Sequence, residues 1–541
     1  MYQFIKDKKN IIILLIVPIL SLTNSIEQAV YGYDGFHWGL VLFSADGMSK
    51  GLLPYKELFI HYGILSTKIN SIILEIFNKN FISIFFISSF AYSVSIFIQS
   101  ILLKRLTNIY IAIIGSLIIF TLHPYAIYPW HTYYLFFLIN IFLILRFSKN
   151  EILNYISYFI LSLAILFSES FLPASLLILT FDILIVPLFF KIKTKNDIQN
   201  FIIKLVIYIL PLIIFLFYLF VKDIFDYWRI YNQMGTIFLE IINVNLLEII
   251  ISFLYNLKIY SVNKFYTEPN WAIYTIIIIT NILYLIKFYI KNFKKKISNE
   301  QYSLLLISFC SLILLYQALH SFTIFKFSCS ITLGLIIIFK LIYELKNFEN
   351  RLVLLSILLL YSISAFPFSK NNSNHLYVDK FKKNEYVKNN HFQYFKNQKW
   401  NKKTWEHLIS IEKKIIEIST KCKIKNGLNF SSDGIISTIM RDKLEFNQLL
   451  PWYENNEDNW QQNYFNTMWK YFDLEYFNTI ENKIKKNDII IYTSVKNYPI
   501  IKIYNKEVNV KNNMEKIELP YSYEHKNKIL IIPNKCKDLF L

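Results

Sequence analysis

The sequence predicts a polytopic α-helical membrane protein, N-terminus cytoplasmic, with a small α/β extracytoplasmic C-terminal domain. Three observations carry that prediction. The chain is 54% hydrophobic and 18% aromatic with mean hydropathy +0.36, more apolar material than a soluble domain of 541 residues carries. Up to about residue 367 this material falls into long apolar runs separated by short polar joints, whereas after Ser369 the chain turns Lys- and Asn-rich. Lys and Arg gather in alternate joints. The domains expected are therefore 1–367, a membrane domain with outer loops 27–79 and 222–270, and 368–541, the C-terminal domain.

A hydrocarbon core of ~30 Å needs about 20 apolar residues per helix. About eleven spans are expected on that basis, at roughly 10–27, 80–103, 107–123, 131–147, 152–170, 173–190, 202–221, 271–290, 302–320, 323–340 and 351–367. The first begins with Lys6, Lys8 and Lys9 and has no small-x-small site before Glu27, so it is read as an uncleaved anchor. With the N-terminus in the cytoplasm, the cytoplasmic joints hold 19 Lys/Arg in 60 residues and the opposite joints 9 in 130. An odd number of spans then places the C-terminal domain outside. The +19 net charge accompanies abundant Ile, Asn, Phe and Tyr, the composition of AT-rich coding sequence, and gives no ground for a nucleic-acid partner.

The outer loops are the elaborate ones, so chemistry is expected there. The stretch "YGYDGFHWGLVLFSADGMSKGLLPYKELFIHYG", Tyr31 to Gly63, follows the first span and holds six of the chain's eleven glycines. Its Trp and Tyr favour the headgroup level, and "LVLFSADGMSKG" reads as a short amphipathic helix lying in the interface and ending at Gly51. Asp34 and His37 precede it. A carboxylate near low dielectric has its charged form disfavoured, which suits proton transfer; the same acid also fits the cap of a helix starting at Gly35–Phe36. Asp46 is read as lying on the helix.

An acid followed by a His three residues on, then a helix, then "GLLPYKELFIHYG", resembles the first outer loop of the GT-C superfamily of integral-membrane glycosyltransferases. It is similar to the protein mannosyltransferase and aminoarabinose transferase branch. The match covers about 70 residues by motif and the rest by architecture. Glu57 stands where that branch has Asp, and Ile64 where it has Pro. The resemblance implies inverting transfer of a sugar from a polyprenyl-phosphate donor to an extracytoplasmic glycan, lipid or protein, with Asp34 as base. No second acid adjoins Asp34, so a divalent metal is not indicated and the cofactor is left open.

Such a transfer needs cations for the charge growing on the departing phosphate. The candidates for substrate or phosphate are Lys326, Arg229, His320, His37, Glu57, His61 and Glu169. Lys326, a few residues inside a span, equally fits snorkelling to headgroups. Asp182, near mid-span, must point into the bundle, and a metal site at His123 and His131 lacks a third ligand. In the tail, "TWEHLISIEKKIIEIST" has helical spacing, "DIIIYTS" and "KILIIPN" read as buried strands, and Asp433 as a helix cap. Cys422 and Cys536 are the two tail cysteines; an oxidising compartment would let them pair, though spacing alone does not bring them together. A polysaccharide or lipid-linked-sugar flippase and an O-antigen-type polymerase are the alternatives. The chain shows no internal repeat or mid-membrane charge path for the first, and the polymerase usually lacks a large outer C-terminal domain.

Overall fold

The computed structural model describes residues 8–31, 34–35, 37–58, 60, 63–123, 128–190, 198–229, 246–263, 270–318, 324–369, 386–431, 433–448, 482–486, 488–494, 500–503, 506–509, 514–519 and 528–540. In chain order its helices up to residue 369 are α1 (Lys8–Val30), α2 (His37–Ser49), α3 (Ile64–Ile76), α4 (Phe81–Leu106), α5 (Ile109–Leu122), α6 (His131–Arg146), α7 (Glu151–Phe167), α8 (Leu172–Thr180), α9 (Val186–Phe189), α10 (Ile198–Val221), α11 (Leu246–Asn263), α12 (Asn270–Asn292), α13 (Asn299–Leu314), α14 (Ile324–Ile331), α15 (Leu335–Glu344) and α16 (Phe348–Ser369). Contacts divide the chain into two units: 1–28, 85–217 and 245–377 form one, and 29–84, 218–244 and 378–541 the other.

The first unit is a helical bundle. Among the described residues, seven helical stretches are long and apolar enough to cross a membrane, and α5, α6 and α7 are apolar but shorter. This establishes a multi-helix membrane architecture without fixing the count of eleven. Ile213, Ile214 and Phe217 on α10 are each more than half exposed, a lipid-facing pattern that would be costly in water. The 222–270 stretch, expected as a loop, contains α11, whose Ile251, Leu254 and Tyr255 are likewise exposed.

Two of the spans are interrupted. A π turn, Phe181–Ile185, joins α8 to α9, and a 3-10 turn, Thr332–Gly334, joins α14 to α15. Carbonyls at such breaks need partners where water is scarce. Ser311 Oγ donates to the Ile331 carbonyl at 3.3 Å and Asn281 Nδ2 to that of Gly334 at 3.2 Å. A Cβ on Gly334 would lie 2.5 Å from that amide nitrogen, so the approach needs glycine.

The second unit is α/β. Strands β3 (Asn426–Phe430), β4 (Glu445–Gln448), β5 (Ile489–Ser494), β8 (Met514–Glu518) and β9 (Lys528–Pro533) form a sheet of order β4-β3-β5-β9-β8. The first three run parallel, and β9 is antiparallel to both its neighbours. The two runs read as buried strands are β5 and β9, which pair at the sheet's centre; every residue of β9 is buried. Hairpins β1 (Tyr386–Lys388)–β2 (Lys399–Asn401) and β6 (Ile500–Ile503)–β7 (Lys506–Asn509) stand apart. α17 (Lys402–Cys422) turns Leu408, Ile411, Ile415 and Ile418 inward, the 3.6-residue period expected of it. α18 (Gly434–Arg441) crosses from β3 to β4, and α19 (Lys537–Phe540) closes the chain.

The Gly-rich stretch after α1 belongs to this unit. Tyr31 bridges to Lys399 on β2, and Gln398 Nε2 donates to the Ala29 carbonyl at 3.2 Å. Trp38, Phe81 and Phe395 pack ring against ring at 5.6–5.9 Å.

Candidate functional site

Asp34 heads α2. Its carbonyl accepts the N–H of Trp38 at 3.2 Å, and its Oδ1 accepts the N–H of His37 at 2.8 Å, which satisfies one of the donors a helix start leaves open. Its Oδ2 lies 2.8 Å from His37 Nδ1. One carboxylate thus caps the helix and grips the imidazole. The Asp34 side chain is 9% exposed and that of His37 31%, so the imidazole is the more open member of the pair.

The helix they head was expected to lie amphipathic at an interface. Its amphipathic character is not borne out: Trp38 through Met48 are all buried. The reason is α18. Gly434 N–H donates to the Gly35 carbonyl at 2.9 Å. A Cβ on Gly39 would come within 2.6 Å of Ile435 N, and one on Gly434 within 2.6 Å of the Gly39 carbonyl carbon, so the two helices touch backbone to backbone. Asp433 caps α18 through Ile435 N–H at 3.0 Å, as its sequence position suggested, and its carboxyl fills the space beside Gly35 that a side chain would need.

The far end of α2 is held by charge. Arg441 Nη1 donates to Asp46 Oδ2 at 2.8 Å and to the Phe43 carbonyl at 3.1 Å, with the guanidinium 3.8 Å above the Phe43 ring. Tyr394 donates its hydroxyl to Asp46, and Lys50 Nζ is 3.1 Å from the same carboxylate. Burial, then the charge and hydrogen bond of Asp46, push the Tyr394 phenol well above its ordinary range, which keeps it a donor. Asp442 pairs with Lys50 at 2.6 Å and Lys79 at 3.1 Å, and Lys443 pairs with the buried Glu412, which His391 also contacts. Sequence reasoning placed Asp46 on the helix but missed Arg441, Tyr394 and the α18 crossing. Their partners lie more than 340 positions away, and the one local signal was the glycine at each crossing point.

Of the other candidates, Glu57 is an exposed turn residue whose Oε2 accepts Leu53 N–H at 2.7 Å. Arg229 makes an exposed pair with Asp226 at 3.1 Å. Glu169 opens a 3-10 turn and Lys326 sits in the first turn of α14, both in the bundle unit. His61 and His320 lie outside the described residues. Near Lys326 in sequence, Ser328 Oγ is 2.6 Å from His123 Nδ1, and Tyr133 OH is 3.1 Å from the other ring nitrogen. Among the described residues no group of three His, Cys, Asp or Glu gathers as a metal site. Cys422 and Cys536 are disulfide-bonded, Cα to Cα 5.8 Å.

Among solved structures the chain is similar to the oligosaccharyltransferase of Archaeoglobus fulgidus in complex with Zn and sulfate, at 13% identity over 79% of this chain and 61% of that one, TM-score 0.48. It is also similar to AglB, an archaeal oligosaccharyltransferase from the same organism, in complex with an inhibitory peptide and a dolichol-phosphate. There the identity is 12% over 91% of this chain and 70% of that one, TM-score 0.50. The chain shares the fold of AglB. At that identity the likeness shows the fold alone, and it does not single out the mannosyltransferase and aminoarabinose branch. The chain spans about three fifths of the length of the first of these structures. No protein-family model matches, nor does any curated protein.

Proposed function

We propose that this chain is an integral-membrane glycosyltransferase that moves a sugar from a polyprenyl-phosphate carrier to an acceptor outside the cytoplasm, with Asp34 as the base. The observation that carries the reading is the coincidence of a GT-C fold with an acid–imidazole pair heading the first helix after α1. The neighbour's complex with a dolichol-phosphate supports a lipid-linked donor. The acceptor hydroxyl gives up its proton to the Asp34–His37 pair as its oxygen attacks the anomeric carbon. The phosphate leaves on the carrier, its charge offset by a cation. His37 holds the carboxylate in one orientation and offers the proton a route to solvent.

The basic joints support an inner-membrane protein with about eleven spans and residues 368–541 outside. Two of the three stretches of the second unit, 29–84 and 378–541, and the start of the loop at 222–270 are those the charge pattern puts on the outer face, which supports a site there. The test is Asp34→Asn in cells lacking the wild-type gene, read by mass spectrometry of surface glycans. Transfer should fall by about 10²–10⁴-fold at unchanged membrane levels. Near-normal transfer would overturn the reading in favour of a transporter.

A further inference from the structure

The geometry points to a task for the C-terminal part of the chain: α18 is a splint that positions the Asp34–His37 pair, with Arg441 as its positioning residue. This deepens the proposed function and rests on it. α2 is pinned by α18 at both ends. At the Asp34 end the contact is backbone, Gly434 N–H to Gly35 carbonyl, with the Gly39–Gly434 approach beside it. At the other end it is the Asp46–Arg441 pair, both side chains under 10% exposed. The next two residues extend the grip: Asp442 reaches Lys50 and Lys79, and Lys443 reaches Glu412 on α17. Three consecutive charges thus tie α18 to α2, to the joint before α4 and to α17. A helix held at one end can pivot. One held at two ends fixes the direction in which its first residues present a carboxylate, and placement errors near 1 Å cost transfer about 10²-fold.

Mere stabilisation would also follow from these contacts, so the experiment must separate the two. Arg441→Gln alone removes one of the two cations on the buried Asp46 carboxylate, leaving Lys50, and should lower the unfolding midpoint. The double variant Asp46→Asn/Arg441→Gln removes both charges, and its midpoint should return toward wild type. If α18 positions the pair, the double variant in intact membranes still transfers about 10²-fold less sugar, and amide exchange across 34–49 rises. If transfer recovers together with the midpoint, α18 is only structural and the proposal fails. Should the double variant not accumulate, Arg441→Lys, which keeps the charge but not the planar fork, is read the same way. An Asp34→Asn variant with normal transfer would sink the glycosyltransferase reading, while the exchange measurement would still decide whether α18 holds α2.

Discussion

Asp46 and Asp182 are the same chemical object in two different solvents. Each is a fully buried carboxylate gripped by an arginine and a tyrosine hydroxyl. Asp182, in the π turn, takes Arg146 through two nitrogens at 2.7 and 3.2 Å, Tyr158 at 2.6 Å, and the Tyr302 hydroxyl, joining α6, α7 and α13. Its partners stand 24 to 120 positions away, all within the bundle. Asp46 finds its arginine 395 positions away and its tyrosine 348. The second difference is exposure. Asp46 passes its charge outward through Lys50 to Asp442, whose side chains are 30% and 38% exposed, whereas Arg146 is 10% exposed and Asp182 not at all. Inside a bilayer no water can replace a missing partner, so the bundle's cluster has to be complete. The other cluster can share its charge with solvent, and can therefore splice distant parts of the chain.

The sharpest way to break this comparison is to remove each arginine. Arg146→Ala should cost about 3–5 kcal/mol, because it removes the cation hydrogen-bonded to the buried Asp182 and leaves the more distant Lys204 to offset its charge. Arg441→Ala should cost less, since Lys50 stays 3.1 Å from Asp46. Unfolding midpoints of the detergent-solubilised protein report both, and equal losses would show that solvent access is irrelevant.

The disulfide comes next. Cys422 ends α17 and Cys536 follows β9, 114 residues on, so the bond restrains a long loop of the unfolded chain. Cys422→Ser should destabilise the second unit by about 2–5 kcal/mol. The bundle holds its two cysteines, Cys310 and Cys329, buried and free, so a reducing agent should shift the second unit alone. A matching shift in the bundle would tie the two regions together energetically.

What could be read beforehand follows the range of the interactions. Periodicity and run length are local, so the helices of the bundle, the inward face of α17 and the strands β5 and β9 were legible. So was the cap at Asp433, where an acid precedes Gly434 and an apolar run. The burial of α2 was not. Its composition, with Ser44, Asp46 and Gly47 among large apolar residues, satisfies an interface as well as a core, and only the arrival of α18 decides between them. The break at Thr332–Gly334 was hidden for the same reason, because Ser311 and Asn281 on other helices make it affordable. Asp34 was singled out by motif, while its grip on His37 follows from a spacing of three at a helix start.

The smallest effect sits where the Asp46 cluster meets water. Burial raises the Asp442 carboxyl, but the hydrogen bonds and charges of Lys50 and Lys79 outweigh it and hold the group below its ordinary value. A folded-state value below the unfolded one means a contribution present above the unfolded value of about 3.9 and lost as pH falls through the folded one. With its side chain 38% exposed, Asp442 is screened, and its pairs are worth about 0.2–1 kcal/mol. Asp442→Asn should therefore lower the unfolding midpoint slightly and equally from about pH 5 to 8, and the gap to wild type should close below about pH 4. Added salt should narrow it at neutral pH. A gap that persists at low pH would mean that Asp442 acts through packing, and the contrast between a solvated and a sealed carboxylate cluster would lose its electrostatic basis.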